Sequence, residues 1–282
     1  MIATVTDMKA FLPSIVMKGT PNVFDDALKV AQQQLEDKIL GSALMAAIDV
    51  DTTVYPELKE KCQRIVCVDA FLSAIHEMDL VLTDSGFAVI QDEQMAPASK
   101  DRVANLKASL QDRLDLSRDL LISWLTDPAQ GSLAWGGTEQ FKRLTSGLFL
   151  TFSQFKEVAV YNNVTANAYP RTWSDYCKLI GTLSVVLMTN AASYISTEYA
   201  SELLEKVRDA EQMDDVEITV LRLIRTAIAA LVLTDAETYQ QQITKAVAVM
   251  KANPEKFPTY MHSKAASAPG INHSDTPIFS MF

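Results

Sequence analysis

From Ser99 onward the chain reads SKDRVANLKASLQDRLDLSRDLLISWL, with neither a glycine nor a proline in the run. Val103, Leu106, Leu110, Leu114, Leu121 and Trp124 recur at spacings that keep one face of a helix apolar, drifting slowly around its axis. Ser99 supplies an N-cap oxygen, Asp101 falls in the first turn, and Asp127–Pro128 closes the element. A chain that commits so long a stretch to one amphipathic helix must build its core from other helices of the same kind.

The rest of the sequence agrees. Only 9 of 282 residues are glycine, and 48% are hydrophobic, enough for a substantial core. TPNVFDDALKVAQQQLEDKILG places Phe24, Leu28, Ala31, Leu35 and Ile39 on one helix face and ends at Gly41. A second helix is expected from Pro56 to Leu82, striped by Cys62, Ile65, Val66, Asp69, Leu72, Ile75 and Met78. Thr83–Gly86 reads as a turn and Phe87–Ile90 as a short extended segment. Beyond the WGGTEQ turn, which Trp135 is expected to pin, one helical pattern resumes with Phe141, Leu144, Leu148, Phe152, Phe155 and Val158. Leu179–Tyr199 and Ala200–Ala210 read as one long helix or two abutting ones; Val216–Leu233 and Glu237–Met250 complete the set.

The pentapeptide LVLTD occurs at Leu80–Asp84 and again at Leu231–Asp235, at the expected end of a helix each time. Asp84 and Asp235 then read as end-capping residues, not as a catalytic pair, and the repeat suggests an internal duplication. The expected fold is therefore mainly α: a helical bundle of two similar lobes, with a short extended segment near 87–90 and an extended C-terminal tail. The expected divisions are an N-terminal helical lobe at 1–96, a central helical pair at 97–165, a C-terminal helical lobe at 166–260 and a tail at 261–282.

Charge and motif content narrow the function by exclusion. A net charge of −10 and a pI near 4.8 disfavour nucleic acid and anionic membrane surfaces as partners. Cys62, Cys67 and Cys177 are odd in number and lack a CxxC pair, so they read as small buried side chains. HEMDL at His76 lacks the second histidine of a zinc-binding HExxH, because Leu80 stands in its place. His262 and His273 have no further ligand nearby, and no GxxxxGK[ST] loop occurs. Ser99 and Lys100 are adjacent, without the S-x-x-K spacing that puts both on one helix face. Neither a catalytic residue nor a cofactor is expected. LIGTLSVVLMTNAASYIST, at Leu179–Thr197, is long enough to span a bilayer, but its Ser, Thr, Asn and Gly content reads as a buried helix, and the expectation is an intracellular protein with no membrane contact.

The final stretch, MHSKAASAPGINHSDTPIFSMF, is small and polar until IFSMF. Ile278, Phe279, Met281 and Phe282 are candidate subunit-interface residues, docking on a neighbouring copy as an edge strand, and Phe87 joins them from the extended segment.

GFAVIQDEQMAPASKDRVANLKASL, residues 86–110, resembles a family of uncharacterised proteins encoded in prophages and phage-like elements of Bacteroides and relatives, whose members read as a GF-V segment followed by an APASK-RV-L helix. NVFDDALKVAQQQLEDKILG and DTPIFSMF are similar to family features as well. The resemblance implies a phage structural protein related to head–tail connectors or adaptors, present in the host cytoplasm during assembly and in the virion. It implies self-association and other phage structural proteins as partners. An intracellular helical protein-binding or regulatory module is the alternative, and an enzyme assembled from distant residues the third reading.

Overall fold

The computed structural model describes residues 2–12, 23–50, 55–75, 80–83, 86–89, 100–127, 134–160 and 169–267. The fold is mainly α-helical. Helix α1 (Val5–Phe11) opens on a capping box in which the Thr4 side chain and Asp7 exchange hydrogen bonds with each other's backbone. It was not anticipated from sequence, and neither was α3 (Ser42–Val50), because both are too short for a periodic signal.

Helix α2 (Val23–Leu35) runs as expected, and Phe24, Leu28, Ala31 and Leu35 are all buried. It then widens into a π turn, Glu36–Leu40, which places both Ile39 and Leu40 in the core. Gly41 stops it at φ 81°, and its N–H reaches back to the Glu36 carbonyl at 2.8 Å. The carbonyls that a helix end leaves unpaired are taken up from far along the chain. The Arg143 guanidinium donates to the Lys38 carbonyl at 2.8 Å, the Gln140 amide to Asp37 at 3.4 Å, and the Trp135 indole N–H to Ile39. Trp135, buried in the 3₁₀ turn Ala134–Gly137, does pin that turn.

Helix α4 (Pro56–Ala74), with proline at its first position, packs between α2 and α5 (Lys100–Thr126). It ends eight residues before the expected Leu82. Leu80–Thr83 instead forms strand β1, paired antiparallel with β2 (Gly86–Val89) in the register Leu80↔Val89 to Thr83↔Gly86. Leu80–Thr83 of the first LVLTD copy is thus a strand and not a helix end. Short apolar runs rich in β-branched residues are locally ambiguous, and GFAV, two residues on, supplies the pairing that decides. The extended segment expected at 87–90 corresponds to β2.

The one helical pattern expected through Phe141, Leu144, Leu148, Phe152, Phe155 and Val158 is broken into α6 (Glu139–Thr145) and α7 (Phe152–Val160). The break falls where a β-carbon on Gly147 would lie 2.7 Å from the Leu183 side chain and where Leu148 adopts φ 67°. The chain then forms α8 (Trp173–Val186), which continues through a π turn, Leu187–Ala191, into α9 (Ala192–Ile195). Ser196, at φ 71°, separates this unit from α10 (Thr197–Arg208) and caps it by accepting from the Tyr199 N–H. A capping box between Asp214 and Glu217 opens α11 (Asp215–Val232), which pairs with α12 (Ala236–Ala252) before the short helices α13 (Pro258–Met261) and α14 (Lys264–Ser267).

The second LVLTD copy behaves as expected. Helix α11 stops at Val232, Thr234 turns the chain at φ 67°, and Asp235 caps α12 by accepting from the Thr238 N–H at 2.9 Å. Leu80–Thr83 and Leu231–Thr234 adopt different structures, so the shared sequence does not mark the end of the same element twice. Among the described residues, one hydrophobic core runs from Ile2 to Tyr260 and draws on the first three of the four expected divisions. The unit Trp173–Ile195 is long and apolar enough to cross a membrane by length and composition. One of its faces packs on α6, α10 and α11, while Ser174, Lys178, Thr182, Val185 and Thr189 are exposed on the other.

Candidate functional site

The longest helix carries a row of polar residues on its buried face. Asp115, Arg118 and Asp119 lie between Leu114 and Leu121 on α5, and all three are buried. Arg118 reaches Asp69 of α4 at 2.9 Å and stands 3.6 Å from Asp115, with its guanidinium 5.1 Å from the centre of the Trp173 ring. The other Asp115 oxygen accepts from the Trp173 N–H, the first of α8, at 3.1 Å, and Gln111 donates to Asp115 at 2.8 Å. Asp119 takes the opening N–H groups of α7, with one oxygen on Phe152 at 3.0 Å and the other on Ser153 at 2.8 Å. One helix therefore caps two others and anchors a third.

Burial sets the electrostatics here. Removal from water pushes the Asp69 and Asp115 carboxyls above their usual range, and this outweighs the attraction of Arg118 for each. Raised carboxylates also mark catalytic sites, so the surrounding space decides between the two readings. The cavity beside Asp69, Arg118 and Trp173 measures about 10 Å³. Pockets that admit substrates are roughly 300 Å³ or larger. The cluster is a structural junction.

Of the interface candidates named from sequence, Phe87 pairs with Leu82 in the hairpin, whereas Ile278, Phe279, Met281 and Phe282 lie outside the described residues. His76, Asp84, Ser99 and His273 lie outside them too. His262 ends α13. Cys62 and Cys67 are buried, Cys177 is partly so, all three are free, and burial pushes each thiol up to about 12, far from a reactive thiolate. Among the described residues, no group of three or more His, Cys, Asp or Glu is placed to hold a metal ion.

Open surface features lie elsewhere. Leu116 and Leu120, one turn apart on α5, are each 56% exposed. With Val68 at its base, they line a 390 Å³ groove along α4, edged by Glu57, Glu60, Lys61, Arg64 and Arg113. Within that edge, Lys61 pairs with Glu57 at 3.3 Å and Arg64 with Glu60 at 3.5 Å. A second groove, of 460 Å³, runs between α7, α11 and α12. A shallower polar depression of 780 Å³ is lined by Ser193, Ser196, Thr259 and His262 among others.

These features define a helical protein joined internally by buried ion pairs and helix caps, with an exposed leucine pair, Leu116 and Leu120, on α5. Residues 19–142 match a family described as a family of unknown function (DUF6712). The matched stretch runs through α2, α4 and α5 to α6, and includes the Trp135 and Gln140 contacts to the end of α2. No curated protein and no solved structure matches the chain.

Proposed function

We propose that this chain is a non-enzymatic assembly subunit that meets a second copy of itself through the α4–α5 face. Leu116 and Leu120 carry the proposal, because neighbouring exposed leucines on the chain's longest helix mark contact surface more than solvated surface. Charge favours a like partner at this face. The chain has a net charge of −10, yet the groove sets two acidic residues, Glu57 and Glu60, against three basic ones, Lys61, Arg64 and Arg113. Two copies meeting here avoid most of the repulsion they would meet elsewhere. Ile278, Phe279, Met281 and Phe282 provide a second contact in this reading. The resemblance carried by residues 86–110 extends it to a phage or prophage structural protein of the head–tail connector or adaptor kind, made in the host cytoplasm and incorporated in the virion.

Sedimentation velocity over a wide concentration range tests the assembly. The wild-type chain should associate, and Leu116→Asp with Leu120→Asp should shift it to monomer while circular dichroism stays unchanged. A wild-type chain that remains monomeric throughout overturns the proposal. Deleting Ile278–Phe282 tests the second contact separately, since unchanged assembly removes it. Mass spectrometry of particles released from an induced host tests the virion role.

A further inference from the structure

Among the described residues, the buried charges Asp115, Arg118 and Asp119 all have partners; Arg225, half-buried in the middle of α11, has half of one. Its Nε–H donates to the Leu148 carbonyl at 2.9 Å, and its guanidinium carbon stands 5.7 Å from the centre of the Phe149 ring. Among the described residues no carboxylate forms an ion pair with it, so the Nη edge of the guanidinium is left unmatched. Arg118, by contrast, sits between two carboxylates. Burial draws the Arg225 guanidinium down to about 10, and it remains a cation at neutral pH. A cation partly withdrawn from water, with an Nη edge that no acceptor among the described residues takes up, carries part of a desolvation cost that an incoming anion would offset.

The contact with Leu148 explains only part of the arrangement. Leu148 is in the left-handed region, and its carbonyl needs a donor that Nε alone provides. A planar guanidinium has a second, two-nitrogen edge that matches a carboxylate. Arg225 lines the 460 Å³ groove between α7, α11 and α12, together with aliphatic side chains from Val158, Ile218, Leu221 and Leu223 and a second, exposed arginine, Arg222. Concave, mostly aliphatic grooves of several hundred Å³ with a few fixed polar groups take small organic ligands. Exposed Glu157 also lines this groove and acts on Arg225 through its field without pairing with it. A dianion would suffer from that negative charge more than a monoanion.

We propose that the α7–α11–α12 groove is a binding site for an aliphatic monocarboxylate, with the Nη edge of Arg225 pairing to the carboxylate and Val158, Leu221 and Leu223 receiving the hydrocarbon. The aliphatic lining supplies affinity, and the guanidinium selects the charged end. Arg222 raises the local concentration of anions at the mouth. This site is separate from the α4–α5 face and stands whether or not the chain self-associates.

Titration calorimetry at low ionic strength tests the site, using hexanoate as the probe, hexan-1-ol as its neutral counterpart and inorganic phosphate as a smaller anion. Hexanoate should saturate and bind at least about tenfold more tightly than either control. Arg225→Lys, which keeps a charge but loses the two-nitrogen edge, should weaken hexanoate about tenfold while leaving hexan-1-ol unchanged. If that variant does not fold, Ile218→Glu, on the exposed surface of α11, provides the test, because a carboxylate fixed at the groove should weaken hexanoate by a similar factor. Hexanoate binding no better than hexan-1-ol, phosphate binding more tightly than hexanoate, or hexanoate unaffected by the substitution tested would each overturn the assignment.

Discussion

Asp115 and Asp119, one turn apart on α5, each accept hydrogen bonds from the opening N–H groups of a different helix, Asp115 from Trp173 of α8 and Asp119 from Phe152 and Ser153 of α7. Helix starts carry partial positive charge and unpaired donors, so two carboxylates at this spacing orient two helices at once. Arg118 lies between them in sequence and ties the same face to Asp69 of α4. The long helix is the point at which the N-terminal and C-terminal helices are joined.

Asp119→Ala should destabilise the protein by about 2 kcal/mol, as expected for a lost cap with one buried and one part-buried donor left unpaired. Asp119→Asn should cost nearly as much. Its two oxygens serve separate N–H groups, and an amide would present an N–H to one of them. Urea denaturation of the three proteins checks this, and a fully neutral Asp119→Asn would show that one oxygen suffices.

Removing Arg118 leaves two buried carboxylates without their cation. Arg118→Met should cost about 3–5 kcal/mol, and adding Asp69→Leu should recover part of that loss, since Asp115 stays stranded. A double-mutant cycle read by denaturant unfolding measures the coupling. Simple additivity of the two substitutions would mean that the 2.9 Å contact contributes nothing of its own.

The pH dependence of Asp69 has a definite sign. Its carboxyl is raised by burial above the ordinary 3.8, so the folded state holds the proton more tightly than the unfolded chain does. Its contribution to stability is fully present below the unfolded value and is lost as pH rises through the folded one. Wild type minus Asp69→Asn should therefore decline as pH is raised from 3.8 toward neutrality. Asp175, Asp214 and Glu217, all lowered, act the other way but are common to both proteins and cancel in the difference. A difference that grows with pH would show that attraction to Arg118 outweighs desolvation.

Periodicity made the helices legible, and the places where it failed have physical causes. The apolar stripes of α2 and α11 point inward much as their spacing predicts, because a helix face is a local property. The buried row at Asp115, Arg118 and Asp119 was not legible, although polar residues interrupting the stripe between Leu114 and Leu121 were its visible sign. Their partners lie 33 to 58 residues away, and one sequence does not reveal such pairings. The break between α6 and α7 was hidden for a similar reason, since the Leu183 side chain that crowds Gly147 comes from α8. The unmatched edge of Arg225 is a property of the folded surroundings alone.

The repeated pentapeptide provides the sharpest test of how context overrides local sequence. Thr234, in the second copy, sits exposed at φ 67°, where a β-branched residue is strained and glycine is at ease. Thr234→Gly should therefore leave stability unchanged or raise it by up to about 1 kcal/mol, because relieved strain offsets the greater entropy of the unfolded chain. Thr83 holds the same place in the first copy, but there it pairs with Gly86 at the end of β1. A strand favours the β-branched residue, so Thr83→Gly should cost about 0.5–1 kcal/mol. Measured side by side by thermal and urea unfolding, the two substitutions should differ in favour of Thr234→Gly. Equal losses at both positions would mean that the left-handed turn after α11 stores no strain, and that LVLTD tolerates both structures for a reason other than backbone preference.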